Sequence, residues 1–237
     1  MNALLAIFVK ELREYFATPI ALAVVAVFWA LCGYLFSFHL FFVSTAQMVT
    51  SFHNMIILML LVMPLLTMRI FAEENKSGTM ELLLTLPMSD YATVLGKYLA
   101  GLFIVCLMLG GTATAVVPLV FYGEPDLGPI WGGYVGTFAF GAMFLAIGLA
   151  VSCACTNQVV AALITWGILV MLWFIDYPAA FDFIPGLSAA LLHMSLSSQH
   201  VDLIRGVLSG SALIYFASVV VFSLFVAVRL LRLRRTR

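Results

Sequence analysis

Charged side chains concentrate in one passage of the chain, which reads MRIFAEENKSGTMELLLTLPMSDYATVLGKYLAG from Met68 to Gly101. Carboxylates and basic groups can form ion pairs and charge-assisted hydrogen bonds. The passage contains seven of the chain's 22 charged residues, namely Arg69, Glu73, Glu74, Lys76, Glu81, Asp90 and Lys97. These residues are the first candidates for a functional surface.

No motif of a catalytic or nucleotide-binding site accompanies them. Gly96-Lys97 lacks the upstream glycine and the following Ser or Thr of a phosphate-binding loop, and neither G-x-S-x-G nor H-E-x-x-H occurs. We therefore predict that the chain is not an enzyme, has no catalytic residues and binds no cofactor of its own.

Two patterns could bind a metal ion. Met55, Met59 and Met63 repeat at i, i+4 and i+8 and could offer thioethers to Cu(I), while Cys153 and Cys155 form a C-x-C pair. Methionine is also a common filler between helices, and two cysteines supply only half of a zinc site. Packing is the better interpretation of both, and we predict no metal site.

The composition indicates an all-α membrane protein. Of 237 residues, 64% are hydrophobic and 9% charged, with a mean hydropathy of +1.15, whereas soluble domains carry about 25% charged residues. We expect membrane lipids around the chain and no nucleic-acid partner. Six apolar segments are long enough to span a bilayer, at about 20–42, 53–70, 91–121, 130–152, 157–176 and 209–229.

The segments outside these spans have distinct patterns. Residues 1–18 predict an amphipathic helix lying in the membrane interface, since Leu4, Phe8 and Leu12 follow helical spacing. Residues 177–208 are too apolar for a solvated loop and too interrupted for a span, so we expect short helices at the outer face. Residues 229–237 form a basic tail.

Lysine and arginine predict the orientation. With an even number of spans and the N-terminus inside, ten of the eleven basic residues are cytoplasmic and only Arg205 faces out. Both termini are therefore expected in the cytosol, together with the charged passage.

The passage is patterned as helices. MRIFAEEN continues the second span, Gly78 breaks the helix, and TMELLLTLP forms a second short helix that Pro87 stops. Ser89 then caps a third helix running to Phe121, 33 residues or about 50 Å. This exceeds the roughly 30 Å hydrocarbon core, so the first turns should project into the cytosol. An alternative is a self-contained hairpin lying on the membrane.

The stretch FAEENKSGTMELLLTLPMSDYATVLGKYLAG resembles the signature of ABC-2 type permeases, the membrane subunits of type V ATP-binding cassette transporters. The matching pattern is F-A-E-E-x-x-x-G-T-x-E-x-L-L-x-x-P, and the likeness is closest to gliding-motility-type and NosY-like bacterial permeases. FVKELREYFATPIA resembles the connecting helix of that family. The resemblance implies one permease domain over residues 1–237, in the cytoplasmic (inner) membrane of a bacterium.

The resemblance also implies a role for the charged passage. Residues 69–90 would couple the permease to a separate cytosolic ATPase subunit, which would bind ATP and Mg²⁺. Carboxylates there would pair with that partner or hold the segment internally, glycine and threonine would set a turn, and leucines would pack it. The implied coupling residues are Arg69, Glu73, Glu74, Gly78, Thr79, Glu81, Leu82, Leu83 and Pro87.

Six spans make half of such a transporter, so a second permease copy or a paralogue is expected, and the family allows for a periplasmic-domain companion. The implied function is export of an unidentified substrate. Two alternatives stay open. One is a non-transporting membrane anchor or assembly component, and the other is an ATP-independent secondary transporter, which the lack of an ionisable residue at mid-span disfavours.

Overall fold

The computed structural model describes residues 3–42, 48–80, 88–122, 127–175, 196, 203, 206 and 209–235. Every regular element within these residues is a helix. The predictions for Glu81, Leu82, Leu83 and Pro87, and most of those for 177–208, fall outside the described residues. The helices are α1 (Ala3–Ala17), α2 (Pro19–Phe42), α3 (Met48–Thr67), α4 (Ala72–Ser77), α5 (Asp90–Thr112), α6 (Val116–Tyr122), α7 (Leu127–Ala154), α8 (Gln158–Phe174) and α9 (Gly210–Arg235).

Length and composition confirm an all-α membrane protein. Within the described part of the chain, five segments are long and apolar enough to cross a bilayer: Pro19–Phe41, Met48–Ser77, Asp90–Leu119, Leu127–Ala154 and Gly210–Arg235. The remaining apolar helix, α8, has 17 residues, or about 26 Å, a little less than the roughly 30 Å core.

Helix α7 forms the centre of the bundle, packing against α3, α5, α8 and α9. Its glycines permit close contacts with neighbouring residues. A Cβ atom on Gly141 would lie 2.7 Å from Val105 Cγ1 on α5, and one on Gly132 would lie 2.3 Å from the Gly206 carbonyl oxygen. A Cβ on Gly136 would similarly meet Leu203 at 3.0 Å.

The methionine stripe lies in this core. Met55, Met59 and Met63 are each at most 2% exposed and pack among other apolar side chains. Among the described residues, no group of three or more His, Cys, Asp or Glu side chains could hold a metal ion. The three methionine side chains are part of the packing between helices.

The second span does not continue as one helix through MRIFAEEN, and that prediction is wrong. Helix α3 ends at Thr67 and a turn of four residues precedes α4. The Ile70 amide bonds the Thr67 carbonyl, three residues back rather than four. The next amides, of Phe71 and Ala72, donate to the Ser152 hydroxyl of α7. A tertiary acceptor thus replaces the helical one.

The third predicted helix is capped at Ser89 as expected, since its side chain accepts from the Ala92 amide at 3.2 Å. The predicted long helix is observed as a helical run from Asp90 to Tyr122, but it is not one uniform α-helix, because a 3₁₀ turn at Ala113–Ala115 separates α5 from α6. Gly110-Gly111 weakens the helix there, and Pro118 has no amide hydrogen to donate. Helix α9 continues through Arg235, so the basic residues of the predicted tail up to that position are helical.

Candidate functional site

A buried lysine joins three helices at the charged end of the bundle. Lys97, on the second turn of α5, is 1% exposed. Its ammonium group donates to Glu11 Oε1 of α1 at 2.6 Å, to Glu74 Oε1 of α4 at 3.0 Å and to the Ile70 carbonyl oxygen at 2.9 Å. It also lies 4.9 Å from the centroid of the Phe71 ring. These partners replace the water that a buried ammonium loses.

A glycine brings α1 close enough to reach this lysine. A Cβ atom on Gly96 would lie 2.9 Å from Ile7 Cγ2 and 3.1 Å from the Leu4 carbonyl oxygen. Only hydrogen at position 96 permits this approach. Ile7 and Glu11, one turn apart, are consequently the buried residues of α1.

Burial and neighbouring charges together shift two pKa values on α1. Burial raises the pKa of the Glu11 carboxyl, and the attraction of Lys97 opposes this only in part. For Lys10, burial acts to lower the pKa, but the nearby carboxylates outweigh it and leave the pKa raised. Its ammonium lies 3.2 Å from both Glu14 and Glu74. Glu74 is therefore shared between an exposed lysine and a buried one.

Ser152 fixes the start of α4. Its hydroxyl oxygen accepts from the Phe71 amide at 3.0 Å and the Ala72 amide at 3.1 Å, and it donates to the Met68 carbonyl at 3.2 Å. Phe71 itself provides no side-chain cap. A hydroxyl from the central helix α7 thus satisfies two amides that the helix start leaves without partners.

The C-terminal helix closes the other side of the same end. Asn75 of α4 donates to the Cys155 carbonyl at 2.8 Å and accepts from Arg234 of α9. Asp90, in the first turn of α5, lies 3.2 Å from Arg235 and 3.4 Å from Arg232. Helices α1, α4, α5, α7 and α9 therefore meet at one polar end.

The family model described as "ABC-2 family transporter protein" matches residues 5–232. The chain belongs to this family. No curated protein matches the chain. An ABC-2 family member is a permease component of an ATP-binding cassette transporter, and it is a multi-pass membrane protein rather than a catalytic subunit. The family implies an ATPase partner and usually a dimer.

In this ABC-2 permease, α4 has one anchored side and one exposed side. Ala72 is buried, and Glu74 and Asn75 face the bundle through the contacts above. Gly78 ends the helix in a left-handed conformation, with φ of 74°, which glycine adopts without strain. The exposed residues are Glu73, Lys76, Ser77, Gly78 and Thr79.

The structure distributes the predicted coupling residues between these two sides. Glu74 holds the segment internally, one of the two roles that the sequence allowed for it. Arg69 and Glu73 lie 3.9 Å apart near the exposed side. Ser77 and Thr79 share a hydrogen bond of 2.9 Å beside Gly78, within the predicted turn.

Three residues position the segment although the sequence alone assigned none of them that role: Glu11, Lys97 and Ser152. A signal existed for the first, since Glu11 follows Ile7 by four residues and so lies within the apolar stripe of α1. Lys97 similarly interrupts an apolar run. Ser152 carries no such signal, because a serine near the end of a span is common.

Proposed function

We propose that the chain is the permease subunit of an exporter whose energy comes from a separate ATPase subunit. Membership of the ABC-2 family and a sequence without a phosphate-binding loop support this division of labour. The ATPase would bind ATP and Mg²⁺ and dock on residues 69–90. A second permease copy or a paralogue would complete the pathway. The likeness to gliding-motility-type and NosY-like permeases, and a periplasmic-domain companion, stay predictions.

The observation that carries the proposal is the two-sided environment of α4. Its inner side contacts α5 through Lys97 and α7 through Ser152, while its outer side exposes Glu73 and Lys76. A partner that docks on the outer side and moves would therefore pull on two membrane-spanning helices through buried polar bonds. Helix α4 would in this way transmit the motion of the partner to α5 and α7.

The distribution of basic residues supports a cytoplasmic position for this end. Lys10, Lys97 and Arg234 come from distant parts of the sequence and meet in one polar cluster. Cytoplasmic ends of membrane proteins carry the excess of Lys and Arg. An ATPase in the cytosol would then face α4, and both termini would lie on its side.

Charge reversal on the outer side of α4 tests the proposal. We expect Glu73→Lys and Lys76→Glu each to weaken co-purification with the cognate ATPase by about tenfold, equivalent to 1.4 kcal/mol of binding free energy. Neither side chain is buried, so the fold should persist. Arg13→Glu on the exposed side of α1 is the matched control and should bind normally.

The readout should include ATP hydrolysis by the reconstituted complex. Full association and unchanged hydrolysis in both α4 variants would contradict the docking role. Normal association with hydrolysis that is independent of the permease would instead indicate a membrane anchor.

A further inference from the structure

A cavity of about 180 Å³ lies beside the lysine cluster, between α1, the start of α2, the end of α3 and α4. Its lining includes four carboxylates, from Glu11, Glu14, Glu73 and Glu74, and two basic groups, from Arg69 and Lys97. Lys10 lies 3.2–3.5 Å from three of these carboxylates, so the acidic groups exceed the basic groups by one. This surplus of acidic groups favours a cationic ligand group inside it.

Three residues that line the cavity each have one polar atom that is buried without a hydrogen-bond partner among the described residues. These atoms are the Tyr15 hydroxyl, Arg69 Nε and Glu74 Oε2. Arg69 Nε does lie 3.9 Å from Glu73 Oε2, which is an ion pair but too long for a hydrogen bond. Glu74 Oε2 requires a donor, Arg69 Nε requires an acceptor, and the Tyr15 hydroxyl can serve as either. The complementary ligand carries both a cation and an acceptor.

Part of the cavity wall is apolar. Ile20, Val24 and Leu65 line it, and Ile20 and Leu65 are 42% and 43% exposed at the surface of candidate membrane spans. Near Ile20 of α2 and Leu65 of α3, polar residues of the sequence adjoin apolar ones. Water could satisfy the polar atoms but would leave the apolar wall wet, which is unfavourable. An amphiphile at the membrane interface fits both walls.

We propose that this cavity binds the headgroup of a phospholipid with a primary amine, such as phosphatidylethanolamine. Its ammonium donates to Glu74 Oε2, its phosphate accepts from Arg69 Nε and the Tyr15 hydroxyl, and its acyl chains lie along Ile20 and Leu65. Because Glu74 also bonds Lys97, an occupied site adds a ligand contact to the cluster that anchors α4. The anchoring cluster and the lipid would then share one carboxylate.

The test is calorimetric titration of the full-length permease, in detergent and without its ATPase, with dioctanoyl phosphatidylethanolamine. Because a choline headgroup has no N–H to donate, we expect dioctanoyl phosphatidylcholine to bind about tenfold more weakly. Phosphatidylglycerol, which is anionic and has no amine, should bind at least as weakly. Free phosphoethanolamine lacks the chains and should also bind more weakly than the lipid.

Tyr15→Phe and Arg69→Lys remove one hydrogen-bonding group each with little change in volume or charge. We expect each to weaken binding of the ethanolamine lipid several-fold, while Tyr34→Phe and Arg13→Lys, at exposed positions, leave it unchanged. Unchanged lipid-free melting temperatures will show that the variants fold.

Equal affinity for the choline lipid, or unchanged binding in both cavity variants, would overturn the proposal. Free phosphoethanolamine binding as tightly as the lipid would overturn the assignment of a lipid. Since the ATPase is absent from the titration, none of these results would bear on the proposed coupling function.

Discussion

At the scale of single residues, Lys97 connects the helices at the charged end. Its ammonium holds Glu11 and Glu74 in a nearly water-free site. Removing one partner of a buried ion pair leaves an uncompensated charge, at a cost of about 3–5 kcal/mol. We expect Lys97→Met to lower the free energy of unfolding by this amount, measured by denaturant titration in detergent. Lys76→Met, on the exposed side of α4, is the control, and equal losses would contradict the prediction.

Glu11 makes stability depend on pH. Burial raises the pKa of its carboxyl above the ordinary value of 4.5, against the attraction of Lys97. A carboxyl whose pKa is higher in the folded state contributes stability that is fully present below the unfolded pKa and is lost as pH rises through the folded pKa. We expect the melting temperature of the wild type, relative to that of Glu11→Gln, to fall as pH rises above 4.5. Parallel curves for the two proteins would refute this.

Helical spacing predicts these residues only in part. Glu74 could be identified from the charged passage, and its internal role was one of two predicted. Glu11 and Lys97 each break an apolar pattern, which indicates that a buried partner is needed. Which helix supplies the partner depends on α1 folding back onto α5 at Gly96, a contact between residues about 90 positions apart that local spacing does not encode.

At the scale of elements, α4 depends on Ser152. Ser152→Ala would leave the buried amides of Phe71 and Ala72 without an acceptor, at about 1–3 kcal/mol for each unsatisfied group. We expect hydrogen exchange to accelerate across α4 while α7 stays protected. Ser218→Ala is the control, because that hydroxyl is exposed and bonds only its own helix, at Tyr215. Unchanged exchange in Ser152→Ala would show that α4 is held by other contacts.

The contact between α3 and α7 depends on Gly148. A Cβ atom there would lie 2.2 Å from the Thr67 hydroxyl, which itself bonds the Met63 carbonyl. We expect Gly148→Ala to destabilise the protein by about 1–3 kcal/mol, as overpacking does. Gly167→Ala on α8, where nothing lies within 4 Å, is the matched control. If Gly148→Ala and Gly167→Ala change the melting temperature equally, the contact between α3 and α7 can adjust to the added methyl group.

Helix ends that depend on local signals lie where the sequence predicts them. Helix ends that depend on contacts with other helices do not. Ser89 begins α5 and Gly78 ends α4 as predicted, because a cap is a local property. The end of α3 depends on a hydroxyl from α7, as described above. The end of α5 combines the local effect of Gly110-Gly111 with a tertiary contact, because Trp29 packs into the space left by Gly111 and donates to the Met108 carbonyl. The spacing of apolar residues in the sequence predicts neither of these two contacts.

At the scale of the whole molecule, the helices run between two chemically different ends. Polar contacts join Asn75 to Cys155 and Arg234, which places the start of α8 and the end of α9 at the charged end. Helix α7 has 28 residues and is about 42 Å long, so Leu127 lies at the opposite end. Helix α8 leaves the charged end with 17 residues, and whether it crosses the bilayer determines if the permease has six spans.

Single cysteines in a variant lacking the four native ones measure this topology. We expect Ser77→Cys and Thr156→Cys to react with an impermeant maleimide only from the cytoplasmic side, because they lie at the basic end. Leu127→Cys and Phe174→Cys, both exposed at the far ends of α7 and α8, should react only from the outside. Reaction of Phe174→Cys from the cytoplasmic side would reduce the count to five spans. Five spans would place α1 and the end of α9 on opposite faces of the membrane. The structure instead places Lys10 of α1 and Arg234 of α9 against neighbouring residues of α4, Glu74 and Asn75. Both helices therefore meet at one face, and we expect six spans.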